Sequence, residues 1–206
     1  EWLEWLVSSH YQVCSLTETL QWIEKWKEPL DPCVFWNPTR RVLLTFDDHP
    51  QKHVGATKLM EKLGTRFTSY VCTGEYRGVS MDTGALAEMI VCGWEIGAHT
   101  NSHHDLAGLS EYEIAMELAT SKMILEEFTG KGKVLDFATP FGRQEPRAQR
   151  ICKELGFRSL RTTDQGMIGP KTDPCWLPSR ACDPRWGLEE CKKVVAEIER
   201  EGERVA

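Results

Sequence analysis

The sequence has no apolar stretch that approaches the roughly 18 residues of a membrane-spanning helix, so we expect no membrane span. It also has no run of basic residues. In total, 25 Lys and Arg stand against 31 Asp and Glu, which gives a formal net charge of −6. A mildly acidic chain without a basic cluster cannot steer nucleic acid by charge. We therefore expect no nucleic-acid partner, and the globular composition excludes a disordered chain.

Cysteine motifs that bind metal are absent as well. The eight cysteines form no CxxC pair and no Cys/His cluster, so we expect no structural zinc site built on cysteine. Most of the thiols lie where a buried apolar residue is expected, which favours free thiols packed as small hydrophobic groups over disulfides. Cys175 and Cys182, in a Pro-rich region, are the pair that we single out as a candidate disulfide.

Apolar residues form short runs and helical patterns that alternate along the chain. Buried strands are predicted over 41–46, 67–72, 94–98, 134–138 and 157–162. The intervening helices are marked by capping boxes at Ser15–Glu18 and Ser110–Glu113 and by terminal glycines at Gly64, Gly93, Gly130 and Gly156. This alternation predicts βα units around a parallel sheet, either open or closed into a barrel.

Side chains capable of chemistry follow directly after these predicted strands. They are Asp47 and Asp48, His99, Pro140 and Phe141, and Asp164. In parallel α/β folds the carboxyl ends of the strands are where functional sites are built. We therefore expect a site at this edge of the sheet.

Three short segments at these positions suit metal-assisted hydrolysis. Adjacent carboxylates at the end of a strand, as in TFDD, point in opposite directions, so that one can bind a metal and the other accept a proton. The histidines of HTNSH are four residues apart and converge if the segment turns helically, and imidazole suits zinc. The turn of FATPFG can aim a backbone N–H at a reacting oxygen. Each segment also has a plain structural interpretation, as a loop, a chance pair or a strand end.

Together, in this order, the three segments resemble the motifs of the polysaccharide deacetylase family, the NodB-homology fold of carbohydrate esterase family 4. The resemblance spans roughly Val42 to Arg180 and implies a distorted (β/α) barrel. We predict one catalytic domain over 1–206, with a motif-bearing core over about 40–182 and an N-terminal helical segment over 1–30. The implied reaction is hydrolysis of N-acetyl groups on an N-acetylglucosamine-type polysaccharide or oligosaccharide, with release of acetate.

The resemblance also implies roles for individual residues. Asp48, His99 and His103 match the metal ligands, with Zn²⁺ expected and Co²⁺ or Ni²⁺ as alternatives. Asp47 matches the general base, and Phe141 matches the residue whose backbone N–H stabilises the oxyanion. Arg180, in Leu177-Pro-Ser-Arg180, and Pro140 are assigned to substrate binding, although Arg180 can equally pair with an acidic neighbour.

The sequence departs from the family pattern at three places. His49 follows the aspartates where the family usually has Gly, and Ala138 stands where much of the family has an Arg that orients the base. No Leu-x-His segment follows Asp183, so the usual general-acid histidine has no counterpart. We predict that His49 replaces that acid, with His53 as a second candidate and water or an outlying carboxylate as the competing source of the proton.

Two other functions stay open. The resemblance also covers amidase-like branches of the family, which allows hydrolysis of another non-peptide C–N bond, and the missing acid histidine keeps open a carbohydrate-binding or metal-binding pseudoenzyme on the same fold. The resemblance implies a location outside the cytoplasm or at the cell surface. A cytoplasmic location stays open, because the chain has no signal-peptide pattern and its thiols are expected to be free.

Overall fold

The computed structural model describes residues 2–25, 41–143, 145–169, 171–181 and 187–203. Its strands, each parallel to its neighbours, are β1 Gln12–Cys14, β2 Arg41–Leu43, β3 Thr45–Asp48, β4 Thr68–Val71, β5 Glu95–Ala98, β6 Asp136–Ala138 and β7 Ser159–Arg161. Its helices are α1 Trp2–Ser8, α2 Leu16–Lys25, α3 Thr57–Leu63, α4 Thr83–Val91, α5 Glu111–Thr129, α6 Pro146–Glu154 and α7 Leu188–Glu203.

A five-stranded parallel sheet in the order β3-β4-β5-β6-β7 forms the centre of the fold, and β1 and β2 form a separate pair. The strands follow one another in chain order, as expected for successive βα units. The sheet curls into a half-barrel, which confirms the predicted α/β fold of the deacetylase type. The register places Asp48 opposite Val71, Val71 opposite Ala98, and Ala98 opposite Phe137. The polar segments after these strands therefore meet at one edge.

Both faces of the sheet are buried, as is usual for parallel strands. Successive residues of a strand point to opposite faces. Val71 and Phe137 accordingly belong to the larger core cluster, while their neighbours Tyr70 and Ala138 belong to a smaller cluster together with residues of α2. The sheet is thus held rigidly from two sides, and its carboxyl edge is left for the site.

Several element boundaries differ from the predicted ones. The predicted strand over 41–46 divides at Leu44, because β2 pairs with β1 whereas β3 pairs with β4. The helix predicted to end at Gly64 begins only at Thr57, after two short 3₁₀ turns. Strand β1 was not predicted, since three residues are too few to show the hydrophobic pattern of a strand. The two capping boxes are confirmed.

Three further predictions concern the cysteines, membrane spans and the domain organisation. The described cysteines form no disulfide with one another, but Cys182 lies outside the described residues, so the Cys175–Cys182 disulfide stays a prediction. No helix in the described part of the chain is long and apolar enough to cross a membrane. The single domain over 1–206 also stays a prediction, while α1 and α2 fall within the predicted helical segment over 1–30.

Candidate metal centre

Asp48 ends strand β3 with a left-handed backbone (φ 86°), a conformation that L side chains rarely adopt. Its Oδ1 lies 3.2 Å from Nε2 of His103 and 4.0 Å from Nε2 of His99. Its Oδ2 accepts a hydrogen bond from Nζ of Lys52 at 3.0 Å. The contact with His103 lowers the pKa of Asp48; burial opposes this shift and Lys52 adds to it. The carboxylate is therefore ionised and offers one oxygen to the histidines.

His99 follows strand β5 and is buried. Its Nδ1 lies 2.8 Å from the carbonyl oxygen of Ala138, and since a carbonyl only accepts, Nδ1 carries the proton. Burial lowers the pKa of His99, which keeps the ring neutral. The lone pair of Nε2 is then free on the side of Asp48. A hydrogen bond of this kind orients histidines that bind metal.

His103 reaches the site through a loop, and not through the helical turn that the four-residue spacing suggested. Thr100 and His103 both have left-handed backbones, with φ of 64° and 56°. The N–H of His103 donates to Oγ1 of Thr100 at 3.0 Å. These two kinks fold the segment back, so that the His103 ring meets His99 edge-on with ring centroids 4.9 Å apart.

Glu117 on helix α5 binds the backbone of this loop. Its Oε2 accepts from the backbone N–H of Asn101 at 2.9 Å and from that of Ser102 at 2.8 Å. Two otherwise unpaired N–H groups are thereby satisfied by one carboxylate. Glu117 was not predicted from the sequence, because nothing in its helical pattern distinguishes it from a solvent-exposed glutamate.

Asp48, His99 and His103 together fit a divalent metal ion. One ligand atom from each lies within 4.8 Å of the others. Around a tetrahedral zinc ion with bonds of about 2.0–2.2 Å, ligand atoms lie about 3.3–3.6 Å apart. The distance of 3.2 Å from Asp48 to His103 is close to this spacing, and the distance of 4.0 Å to His99 is somewhat longer. One carboxylate and two imidazoles also form a donor set that zinc accepts, with further positions left for water or substrate.

The carboxylate of Asp47, the residue preceding Asp48, is held by Arg161. Its Oδ1 accepts a hydrogen bond from Nη2 of Arg161, whose side chain is only 5% exposed, while that of Asp47 is 38% exposed. Burial raises the pKa of Asp47, but the charge of Arg161, assisted by His99, outweighs it, so the pKa lies below its ordinary value. Strand β7 thus supplies an arginine to Asp47, whereas the position of Ala138 supplies none. An arginine inside an apolar strand needs a charged partner, which marks Arg161 in the sequence without showing which residue that partner is.

His53 supports the backbone of Asp47. Its Nε2 lies 2.6 Å from the carbonyl oxygen of Asp47 and donates to it, so its Nδ1 accepts from the hydroxyl of Ser69 at 2.9 Å. Burial lowers the pKa of His53 to about 4, against the pull of the Asp47 carbonyl. Both ring nitrogens of this neutral imidazole are therefore already occupied by the protein.

His49 is fully buried, and its Nε2 donates to the carbonyl oxygen of Gly74 at 3.2 Å. Among the described residues no hydrogen bond or ion pair joins its ring to Asp48, His99 or His103. The structure does not bring His49 into contact with the metal group. Its role as general acid stays a prediction.

The other predicted site residues lie at the same edge of the sheet. Phe141 follows the buried Pro140 and has a left-handed backbone (φ 57°). Its ring meets that of His103 edge-on, with the ring centroids 4.9 Å apart. Its side chain remains exposed to 54%. Arg180 is half-buried, just beyond Ser179, whose N–H donates to the carbonyl oxygen of Asp164 at 2.9 Å. Their roles toward the substrate stay predictions.

Comparison with known sequences gives a consistent result. The profile of the polysaccharide deacetylase family matches residues 37–160. YxkH of Bacillus subtilis, a protein assigned to the polysaccharide deacetylases, is 25% identical over 168 residues, which is 80% of this chain and 56% of that protein. The chitooligosaccharide deacetylase of Azorhizobium caulinodans is 24% identical over 124 residues, 58% of this chain and 56% of the relative. The chain thus spans 56% of the length of each of these curated relatives.

Solved structures share the fold of this chain. The deacetylase PplD of Streptococcus pyogenes, in complex with acetate, superposes with a TM-score of 0.74 at 22% identity, covering 93% of this chain and 82% of that one. IcaB from Ammonifex degensii gives 0.67 at 20% identity, covering 91% and 96%. At these identities the likeness establishes the fold.

Proposed function

Since the chain belongs to the polysaccharide deacetylase family, we propose that it hydrolyses N-acetyl groups on an N-acetylglucosamine-type polysaccharide or oligosaccharide and releases acetate. One observation carries the proposal: Asp48, His99 and His103 converge beside Asp47 at the carboxyl edge of the sheet. The match to a relative named as a chitooligosaccharide deacetylase supports this substrate class.

Asp48, His99 and His103 would hold the metal, and zinc suits their donor set, with cobalt or nickel as substitutes. When bound, the ion supplies a Lewis acid that polarises the acetyl carbonyl and acidifies the attacking water. The neutral state of His99 and the ionised state of Asp48 suit these two residues to that role.

Asp47 is the general base of the proposed reaction. Its carboxylate is ionised and lies next in sequence to a metal ligand, so it can accept the proton of the attacking water. Arg161 holds one of its oxygens and leaves the other for that proton. Phe141 would donate its backbone N–H to the oxyanion of the tetrahedral intermediate, an interaction that typically contributes about 100- to 1,000-fold in rate.

The departing amine also needs a proton, and His49 remains our candidate for its donor. Its Nε2–H is donated to the Gly74 carbonyl, so Nδ1, which has no hydrogen-bond partner among the described residues, is the nitrogen that would deliver the proton. His53 is the poorer candidate, because both of its nitrogens already have protein partners. Arg180, Pro140 and the exposed ring of Phe141 would contact the sugar. We place the protein outside the cytoplasm or at the cell surface, where such polymers are found.

Metal analysis of the purified protein tests the proposed site. We expect about one zinc equivalent in the wild type and a strong loss in His99→Ala, because the buried Nε2 ligand is removed. His104→Ala is the matched control, since His104 lies in the same loop but its side chain is 67% exposed. A full metal equivalent in His99→Ala would mean that the ion binds elsewhere.

A further inference from the structure

We propose that Tyr76 is a positioning residue that fixes the ring of His103 by stacking, in the place of the usual hydrogen bond to a metal-binding histidine. The proposal rests on the metal site proposed above and extends it to a segment outside the three motifs. It starts from a difference between the two histidines of the site.

The two imidazole rings are oriented by different means. His99 donates its Nδ1–H to the Ala138 carbonyl at 2.8 Å, which fixes both its tautomer and its rotation. In His103 the Nδ1 atom is buried and has no hydrogen-bond partner among the described residues. The ring of His103 therefore lacks the hydrogen bond that would normally fix its rotation about the Cβ–Cγ bond, on which the position of Nε2 depends.

Aromatic packing replaces that contact. The ring of Tyr76 lies against the ring of His103 with centroids 3.9 Å apart and an interplanar angle of 27°. The rings of Phe141 and His99 meet the His103 ring edge-on, each with its centroid 4.9 Å from the centroid of His103. The side chain of His103 is left only 6% exposed. A flat ring covered on one face and bounded by two edges cannot tilt without losing these contacts.

A tight hairpin holds Tyr76 in place. The N–H of Tyr76 donates to the carbonyl of Val79 at 2.9 Å, and that of Val79 donates back to Tyr76 at 3.1 Å. Between them, Arg77 and Gly78 both have positive φ, 55° and 73°, as a two-residue hairpin turn requires. The guanidinium of Arg77 lies 5.1 Å from the centre of the Tyr76 ring. We call residues 76–79 the Tyr76 hairpin.

The base of the Tyr76 hairpin is attached to both loops that carry metal ligands. The N–H of Gly74 donates to the carbonyl of Asn101 at 2.7 Å, in the loop of His103. The carbonyl of Gly74 accepts from Nε2 of His49, which directly follows Asp48. A Cβ at Gly74 would lie 2.6 Å from the Asn101 oxygen, so only glycine allows this approach. The hairpin therefore moves with the site and keeps Tyr76 on His103.

Metal affinity of variants at Tyr76 tests the proposal directly. Zinc is titrated against a chromophoric chelator, and the visible absorption of the Co²⁺-substituted protein reports the ligand geometry. Tyr76→Ala and Tyr76→Leu should bind zinc about 10- to 100-fold more weakly, the usual effect of losing a group that orients a ligand, with an altered cobalt spectrum. Tyr76→Phe keeps the ring and should match the wild type. Tyr112→Ala, which truncates a tyrosine that is 74% exposed on α5, is the matched control.

Each outcome decides one question. Wild-type affinity and an unchanged cobalt spectrum in both Tyr76→Ala and Tyr76→Leu would overturn the proposal, and so would Tyr76→Phe binding as weakly as Tyr76→Ala. Thermal unfolding of the metal-free variants separates loss of the fold from loss of ring orientation. If Tyr76→Ala does not fold, the result for Tyr76→Leu, which retains apolar bulk, decides the question. A wild type that binds no metal would instead refute the proposed metal site itself.

Discussion

Asp47 and Asp48 are adjacent in sequence, yet their surroundings give them different chemistry. The side chain of Asp48 faces two imidazoles and an ammonium, whereas that of Asp47 faces a buried guanidinium. This difference follows from the strand, in which successive side chains point to opposite faces. Because both carboxylates are held ionised, one is suited to bind a cation and the other to accept a proton.

Asp47→Asn separates these two roles. Asparagine keeps the shape but cannot accept a proton, so we expect acetate release to fall by about 10²- to 10⁴-fold, the usual contribution of a general base. Metal content should stay at the wild-type value, because Asp48, His99 and His103 are untouched. Metal analysis and an acetate assay on the same preparation measure both. Loss of the metal in this variant would show that the aspartates are assigned the wrong way round.

Arg161 gives a prediction about pH. Its charge lowers the pKa of Asp47 against burial, so Arg161→Met should raise that pKa. The base must be ionised to act, and the acidic limb of the pH–rate profile should therefore move to higher pH, with metal content unchanged. Arg161→Lys keeps the charge and serves as the control, with an acidic limb close to that of the wild type. An acidic limb that stays in place in Arg161→Met would rule out this role of Arg161.

At the scale of the element, a glycine in strand β5 leaves room for the ring of Tyr70, which packs directly against the backbone of Gly97. A Cβ on Gly97 would lie 2.5 Å and 2.7 Å from carbon atoms of that ring, and 3.0 Å from the carbonyl oxygen of Asp136. The guanidinium of Arg161 in turn lies 5.2 Å from the centre of the Tyr70 ring. Gly97 therefore supports the orientation of Asp47 through two side chains.

Gly97→Ala should destabilise the protein, because neither the ring nor the neighbouring strand can move away freely. We expect a loss of about 1–3 kcal/mol in the free energy of unfolding, the usual cost of overpacking, measured by urea denaturation. Gly108→Ala is the control, since a Cβ there meets nothing within 4 Å. Equal unfolding free energies for the two variants would show that Tyr70 can shift away from Gly97.

The element patterns of the sequence predicted the strands of the main sheet and the position of its site, because apolar runs and capping residues act locally. They could not predict how His99 and His103 converge. That depends on left-handed residues at Thr100 and His103, which no spacing rule requires. The partner of Asp47 was also beyond reach, since Arg161 lies 114 positions away and the outer strands β3 and β7 approach each other only because the sheet curls.

At the scale of the whole molecule, contacts at the opposite end of the sheet hold it together. Arg158 donates to both carboxylate oxygens of Asp136, at 2.9 Å and 2.8 Å, and to the hydroxyl of Thr17 at 2.8 Å. Thr17 lies on α2, and its N–H donates to Glu95. These bonds attach α2 to strands β5 and β6 near their amino ends. The carboxyl edge of the sheet is left for Asp47, Asp48 and the histidines.

Metal-dependent acetate release from a chitooligosaccharide is the most direct measurement of the proposed function. The wild-type protein should release acetate, lose this activity after treatment with a chelator and regain it when zinc is restored, while His99→Ala stays inactive with zinc present. A protein that is folded, carries one zinc ion and releases no acetate would contradict the deacetylase function. Undiminished release after complete removal of the metal would contradict the role of Asp48, His99 and His103.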